Sequence, residues 1–196
     1  RRSSDVRLRE ARYPPVTDAE LTDLQREVLE LVTPRARPLN LFRTVLRAPA
    51  AMRSLLALGA YITSQANDLP RREKELVILR IAFLCRAGYG WAQHQALALH
   101  AGLGAEEIAR VKLGPAASEW RDADRALLRA CDELHADQFV RPASWADLCR
   151  HFSDKQRMDL VFTAGHYTQT CMILNTFGVQ PEPALAVDPD LSLPQD

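Results

Sequence analysis

Residues 76–84, LVILRIAFL, constrain this chain more than any other stretch, because they are apolar apart from Arg80. A helix built on them presents apolar side chains on almost every face, so other elements must surround it. It therefore belongs at the centre of the fold. Neither this stretch nor any other shows the alternating apolar pattern of a strand, and the helical period recurs along most of the chain.

Thr17 and Glu20 have the spacing of a capping box, and LTDLQREVLELV behind them predicts a helix that ends by Pro34. LFRTVLRA opened by Asn40, and AAMRSLLALGAYITS after Pro49, give two more. The central helix starts after Pro70. Gly88, Tyr89 and Gly90 are expected to break it, with WAQHQALALHAG forming a shorter second helix closed by Gly102. These two form a helical hairpin. Further helices are expected at 106–113, 122–137, 144–152 and 154–177, the last opened by a Ser153/Gln156 capping box. The fold class is all-α: a compact helical domain of about eight helices around a central hairpin. It is expected to span 17–180, between an N-terminal arm, 1–16, that contains Pro14 and Pro15, and an extended C-terminal tail, 181–196.

At 196 residues, with 47% hydrophobic and 26% charged, the chain suits one globular domain rather than a disordered or fibrous protein. Twenty-five basic residues balance 25 acidic ones, and the 22 arginines are spread among the acids. That gives no nucleic-acid footprint. Cys85, Cys131, Cys149 and Cys171 match neither a CxxC pair nor a zinc spacing. The paired arginines at the start lack an apolar stretch behind them, which predicts no export signal and a cytoplasmic protein. The uncharged run 160–181 carries Thr163, His166, Gln169, Asn175 and Thr176, so it is expected to be a buried helix and not a membrane span. No GxGxxG, Walker, nucleophile-elbow or HExxH pattern occurs, so no cofactor and no metal are expected.

LPRREKELVILRIAFLCRAGYGWAQHQALALHAGLGAEEI resembles the core of the carboxymuconolactone decarboxylase family, which includes the alkylhydroperoxidase D-like proteins. PLNLFRTVLRAP, LLRACDELHAD and FSDKQRMDLVFTAGHYTQTCMILNTFGV extend the resemblance over residues 14–180. It implies an all-helical fold, homo-trimers or homo-hexamers, and a pocket beside the hairpin. The peroxidase branch of that family has a glutamate, a CxxC motif beginning twelve positions later, and a histidine four positions after the second cysteine. Counted from Glu75, those places fall on Ala87, Gly90 and His94. The acid and the imidazole are kept. Both thiols are absent, so a dithiol peroxide cycle cannot run here.

His94 shares a helix face with Trp91 and Ala98, where an imidazole either satisfies a core hydrogen bond or moves a proton. The resemblance implies a catalytic role for it and for Glu75. The hairpin expected from the Gly88–Gly90 break keeps these two about 10 Å apart along the axis, so Glu75 reaches His94 only through a bend, a water or another subunit. Tyr89 and Trp91 are candidates for the walls of a substrate pocket, although Trp91 equally suits hairpin packing. Arg80 is a candidate carboxylate holder, with surface or intersubunit pairing as its alternative. His166 and Tyr167 either line the same pocket as His94 or join subunits. Glu133 and His135 sit two apart on different sides of a helix and make no joint metal site.

These residues point to a cofactor-independent lyase or isomerase, using acid–base chemistry on a small cyclic or aromatic-derived carboxylic acid or lactone. Two alternatives stand beside it. One is a non-catalytic oligomer that binds a small molecule, and the other is a one-cysteine hydroperoxide reductase that uses Cys85 and an external thiol.

Overall fold

The computed structural model describes residues 8–191. The outermost parts of the arm and tail, the paired arginines included, lie outside the described residues. Within them the chain is all helical, in the order α1 (Asp23–Leu29), α2 (Asn40–Val45), α3 (Pro49–Thr63), α4 (Arg71–Leu84), α5 (Gly88–His100), α6 (Ala105–Val111), α7 (Asp122–Asp137), α8 (Pro142–His151) and α9 (Asp154–Phe177). No described helix is long and apolar enough to cross a membrane.

The apolar run 76–84 behaves as its composition requires. In α4 every residue from Lys74 to Ala82 is buried, and the helix packs against α5, α7 and α9. Its large side chains join Trp91, Leu127, Leu128, Leu148 and Leu160 in the main core. Each such side chain contributes about 1.5–3 kcal/mol over leaving it in water. A second, smaller core of Val28, Leu29, Leu46 and Met52 holds α1, α2 and α3 together, and Leu41 packs against both.

Two local expectations are corrected. The capping box at Thr17 and Glu20 exists, with the Thr17 amide donating to Glu20 Oε2 at 2.9 Å, but it opens only a single 3₁₀ turn, Asp18–Glu20. Leu21 is extended, and a second capping box, Thr22 with Gln25, starts α1. The chain was free to choose between two adjacent boxes, and burial of Leu21, Val28 and Leu29 fixes the later one.

The break of the hairpin also moves. Gly88, Tyr89 and Gly90 form the first turn of α5, and the chain reverses earlier, at Arg86, whose φ is 53°. The Ala87 amide donates to the Ala82 carbonyl and the Arg86 amide to that of Phe83, the paired bonds of a Schellman ending. A residue with a Cβ in the left-handed region costs about 1 kcal/mol relative to glycine. Gly88 is instead needed for closeness: a Cβ there would lie 2.7 Å from the Leu191 carbonyl oxygen.

The contact comes from the tail. Residues 181–191 return over the start of α5, where Lys112 Nζ holds Asp188 and Asp190 at 2.7 and 2.8 Å. Glu182 accepts from Tyr89 Oη and the Asn40 amide on one oxygen and from Gln93 Nε2 on the other. At the other end, the Arg12 amide donates to the Phe177 carbonyl and the Tyr13 ring meets Phe177 edge-on.

Candidate functional site

Glu75 and His94 touch. Nδ1 of His94 lies 2.8 Å from Oε2 of Glu75, with both side chains largely buried between α4 and α5. The expected 10 Å offset is overturned by the position of the turn. Glu75 is nine residues before Leu84 and His94 six after Gly88. At about 1.5 Å per residue they stand about 13 and 9 Å from the reversal, and two side chains span the remainder.

The contact sets the tautomer. A glutamate carboxylate accepts, so neutral His94 carries its proton on Nδ1, which leaves the lone pair on Nε2. Among the described residues nothing hydrogen-bonds Nε2. At 87 and 90, where the peroxidase branch carries its thiols, this chain has the Ala87 methyl and Gly90.

α9 supplies the rest of the site. Tyr167 lies edge-on to His94, with ring centroids 5.0 Å apart, and edge-on to His166 at 5.2 Å. Burial, followed by the charge of Glu75, pushes the Tyr167 hydroxyl well above its usual range, so it stays protonated. Burial, followed by the charge of His94, holds His166 below the usual imidazole value. His166 is only 8% exposed, its Nδ1 has no partner among the described residues, and a Cβ on Gly59 of α3 would come within 3.5 Å of its Nε2. Three positions earlier Thr163 Oγ1 is also buried and unpartnered. Two such atoms on one helix are normally satisfied by ordered water or by polar atoms of a ligand.

The other expected site residues go elsewhere. Arg80 reaches α7 and α6: Nε and Nη2 grip Asp132 at 2.6 and 3.0 Å, while Nη1 donates to the carbonyls of Val111 and Lys112. Its guanidinium is engaged within the chain, in neither the surface nor the intersubunit pairing considered for it. Trp91 is fully buried against Phe83 and under Lys112 Nζ. Tyr89 lines a cavity of about 300 Å³ with Arg86, Gly88, Leu174, Asn175, Val187 and other residues of the tail. A smaller cavity lies between α7 and α8. Neither touches His94. Glu133 accepts from Ser144 and the Arg141 amide, on a different side of α7 from His135. No group of three or more His, Cys, Asp or Glu among the described residues is arranged to hold a metal ion.

The sequence did not point to the Glu182 cluster, since its partners are up to 142 positions away. It also gave no sign that His135 stands beside Cys85, with Nδ1 and Sγ 3.7 Å apart.

Residues 49–133 match the model of the carboxymuconolactone decarboxylase family. A search of curated proteins finds no match. Solved structures resemble the fold closely. A peroxidase-related protein from Ralstonia eutropha with an alkylhydroperoxidase AhpD core is 20% identical, with a TM-score of 0.74 over 88% of this chain and 93% of that one. A peroxidase-related protein from a Silicibacter species is 13% identical, with a TM-score of 0.70 over 93% and 95%. The debrominase Bmp8, in a variant complexed with 2,3,4-tribromopyrrole, is 13% identical, with a TM-score of 0.71 over 90% and 94%. These likenesses establish the fold, and the family match covers the hairpin that carries Glu75 and His94. Residues 49–133 are thus similar to the carboxymuconolactone decarboxylase family, and the described residues have the all-α fold of the AhpD-like structures.

Proposed function

We propose that this protein is a cofactor-independent lyase or isomerase that uses His94 for acid–base chemistry on a small cyclic or aromatic-derived carboxylic acid or lactone. The observation that carries this reading is the 2.8 Å contact between His94 Nδ1 and Glu75 in a hairpin with no thiol at 87 or 90. Glu75 fixes the ring, and Nε2 takes a proton from substrate carbon or returns one to an enolate. In this reading Tyr167, kept protonated by burial and edge-on to His94, donates a hydrogen bond to the developing oxyanion. His166 and Thr163 offer unpartnered polar atoms to the substrate's other oxygens. Such a reaction creates and quenches an enolate, and its electrons stay within the substrate.

The test is product formation from a panel of small cyclic acids and lactones, followed by mass spectrometry, with wild type beside His94→Gln. Turnover that survives the substitution removes His94 from the reaction.

A second reading has its own support. The 300 Å³ cavity at Tyr89 does not reach His94, which suits a protein that binds a small molecule and leaves it unchanged. Ligands that raise the melting temperature without yielding product would favour this reading. Either way we expect a homo-trimer or homo-hexamer. Met158, Val161, Phe162 and Met172 make an exposed apolar stripe along α9, beside the buried side that carries His166. The four cysteines form no disulfide among the described residues, which fits a cytoplasmic protein.

A further inference from the structure

At the end of α4, ten residues beyond Glu75, a second reactive side chain meets a partner on α7, and neither takes part in the reading above. Cys85 caps the C-terminus of α4, is partly exposed, and places Sγ 3.7 Å from Nδ1 of His135 on α7. Two features hold the thiol in place. Asn175 Nδ2 of α9 donates to the Cys85 carbonyl at 2.8 Å, and the next residue, Arg86, turns the chain through the left-handed region. A nucleophile within reach of a base, on a backbone tied down from a third helix, is the arrangement by which thiols are activated.

We propose that Cys85 and His135 form a thiolate–imidazolium pair that is a site of oxidation by hydrogen peroxide. His135 Nδ1 takes the thiol proton. The thiolate then attacks one peroxide oxygen, forming an S–O bond as the O–O bond breaks, and the departing hydroxide takes the proton back from His135 and leaves as water. Sulfur is oxidised by two electrons to the sulfenic acid, and the peroxide is reduced by the same two.

The surroundings make His135 indispensable. Cys85 stands at the negative end of the α4 dipole, which disfavours a thiolate. Asp132, one turn before His135, is neutralised by the two-point grip of Arg80. The imidazolium thus has to offset the helix end, and without it Cys85 should be a poorer nucleophile than an ordinary exposed thiol. Cys149 on α8 is exposed and serves as the reference within the same molecule.

The experiment treats the full-length native protein with hydrogen peroxide in the presence of dimedone at neutral pH and reads each cysteine by peptide mass spectrometry. Pairing with a base is expected to make Cys85 about tenfold faster than Cys149. His135→Asn is expected to drop Cys85 below Cys149 while leaving the Cys149 rate as it was. Should that variant not fold, His135→Gln takes its place, and the wild-type ratio decides by itself. A Cys85 rate at or below that of Cys149 in the wild type overturns the proposal. So does an unchanged ratio in the His135 variant. Neither result bears on His94, because the two pairs share no side chain.

Discussion

Oε2 of Glu75 and Nδ1 of His94 meet at 2.8 Å across the central hairpin, which makes the carboxylate the orienting group of the imidazole. Neutral His94 should therefore carry its proton on Nδ1. Nitrogen-15 NMR of the labelled protein above the titration range is expected to show that tautomer in wild type and a mixture of the two in Glu75→Ala. The same mixture in wild type would mean that the carboxylate does not hold the ring.

Arg80 is a structural residue in this fold. Arg80→Ala removes a two-point ion pair to Asp132 and two donors to the end of α6, leaving buried acceptors unmatched. A loss of about 3 kcal/mol is expected. Urea unfolding measures it. Lysine should rescue only part, because it cannot reproduce the forked geometry. A loss below about 0.5 kcal/mol, the size of an ordinary surface change, would contradict the assignment.

Stability should also depend on His166. Burial and the charge of His94 hold its pKa below 6.5 in the folded protein, whereas the unfolded chain titrates near the ordinary value. The unfolded state binds more protons in that window, so stability is fully present above about 6.5 and declines as pH falls towards the lower folded value. Urea midpoints between pH 5 and 8 should fall less steeply with acid in His166→Phe than in wild type. Identical slopes would show that the ring is not held neutral.

The tail depends on a missing methyl group. Gly88→Ala would put a Cβ 2.7 Å from the Leu191 carbonyl oxygen and 2.9 Å from Val187 Cγ1. The backbone oxygen cannot be displaced without moving the tail. Limited proteolysis is expected to cut within 182–191 faster in this variant, and likewise in Lys112→Met, which loses the ties to Asp188 and Asp190. Equal cutting rates would show that these contacts do not hold the tail down.

Local signals carried the fold a long way. α7 and α9 run over the expected residues, α7 because its apolar period is strong, and α9 because the Ser153/Gln156 box fixes its start and Gly178, in the left-handed region, its end. The hairpin was harder. Glycines at 88 and 90 suggested the break, yet glycine marks only where a turn is easy, and tertiary packing placed it at Arg86. That shift of two to three residues separates a 10 Å gap from a hydrogen bond. The partners of Arg80, Glu182 and Cys85 lie 31 to 142 positions away, so no local spacing could encode them.

The most direct test of the acid–base claim is deuterium uptake from D₂O into the product of a confirmed substrate, for wild type and His94→Gln. Wild type should yield product carrying one solvent-derived deuterium at carbon, and the variant should form it about 100-fold more slowly. Product formed without solvent deuterium, or at the wild-type rate in His94→Gln, would contradict the account.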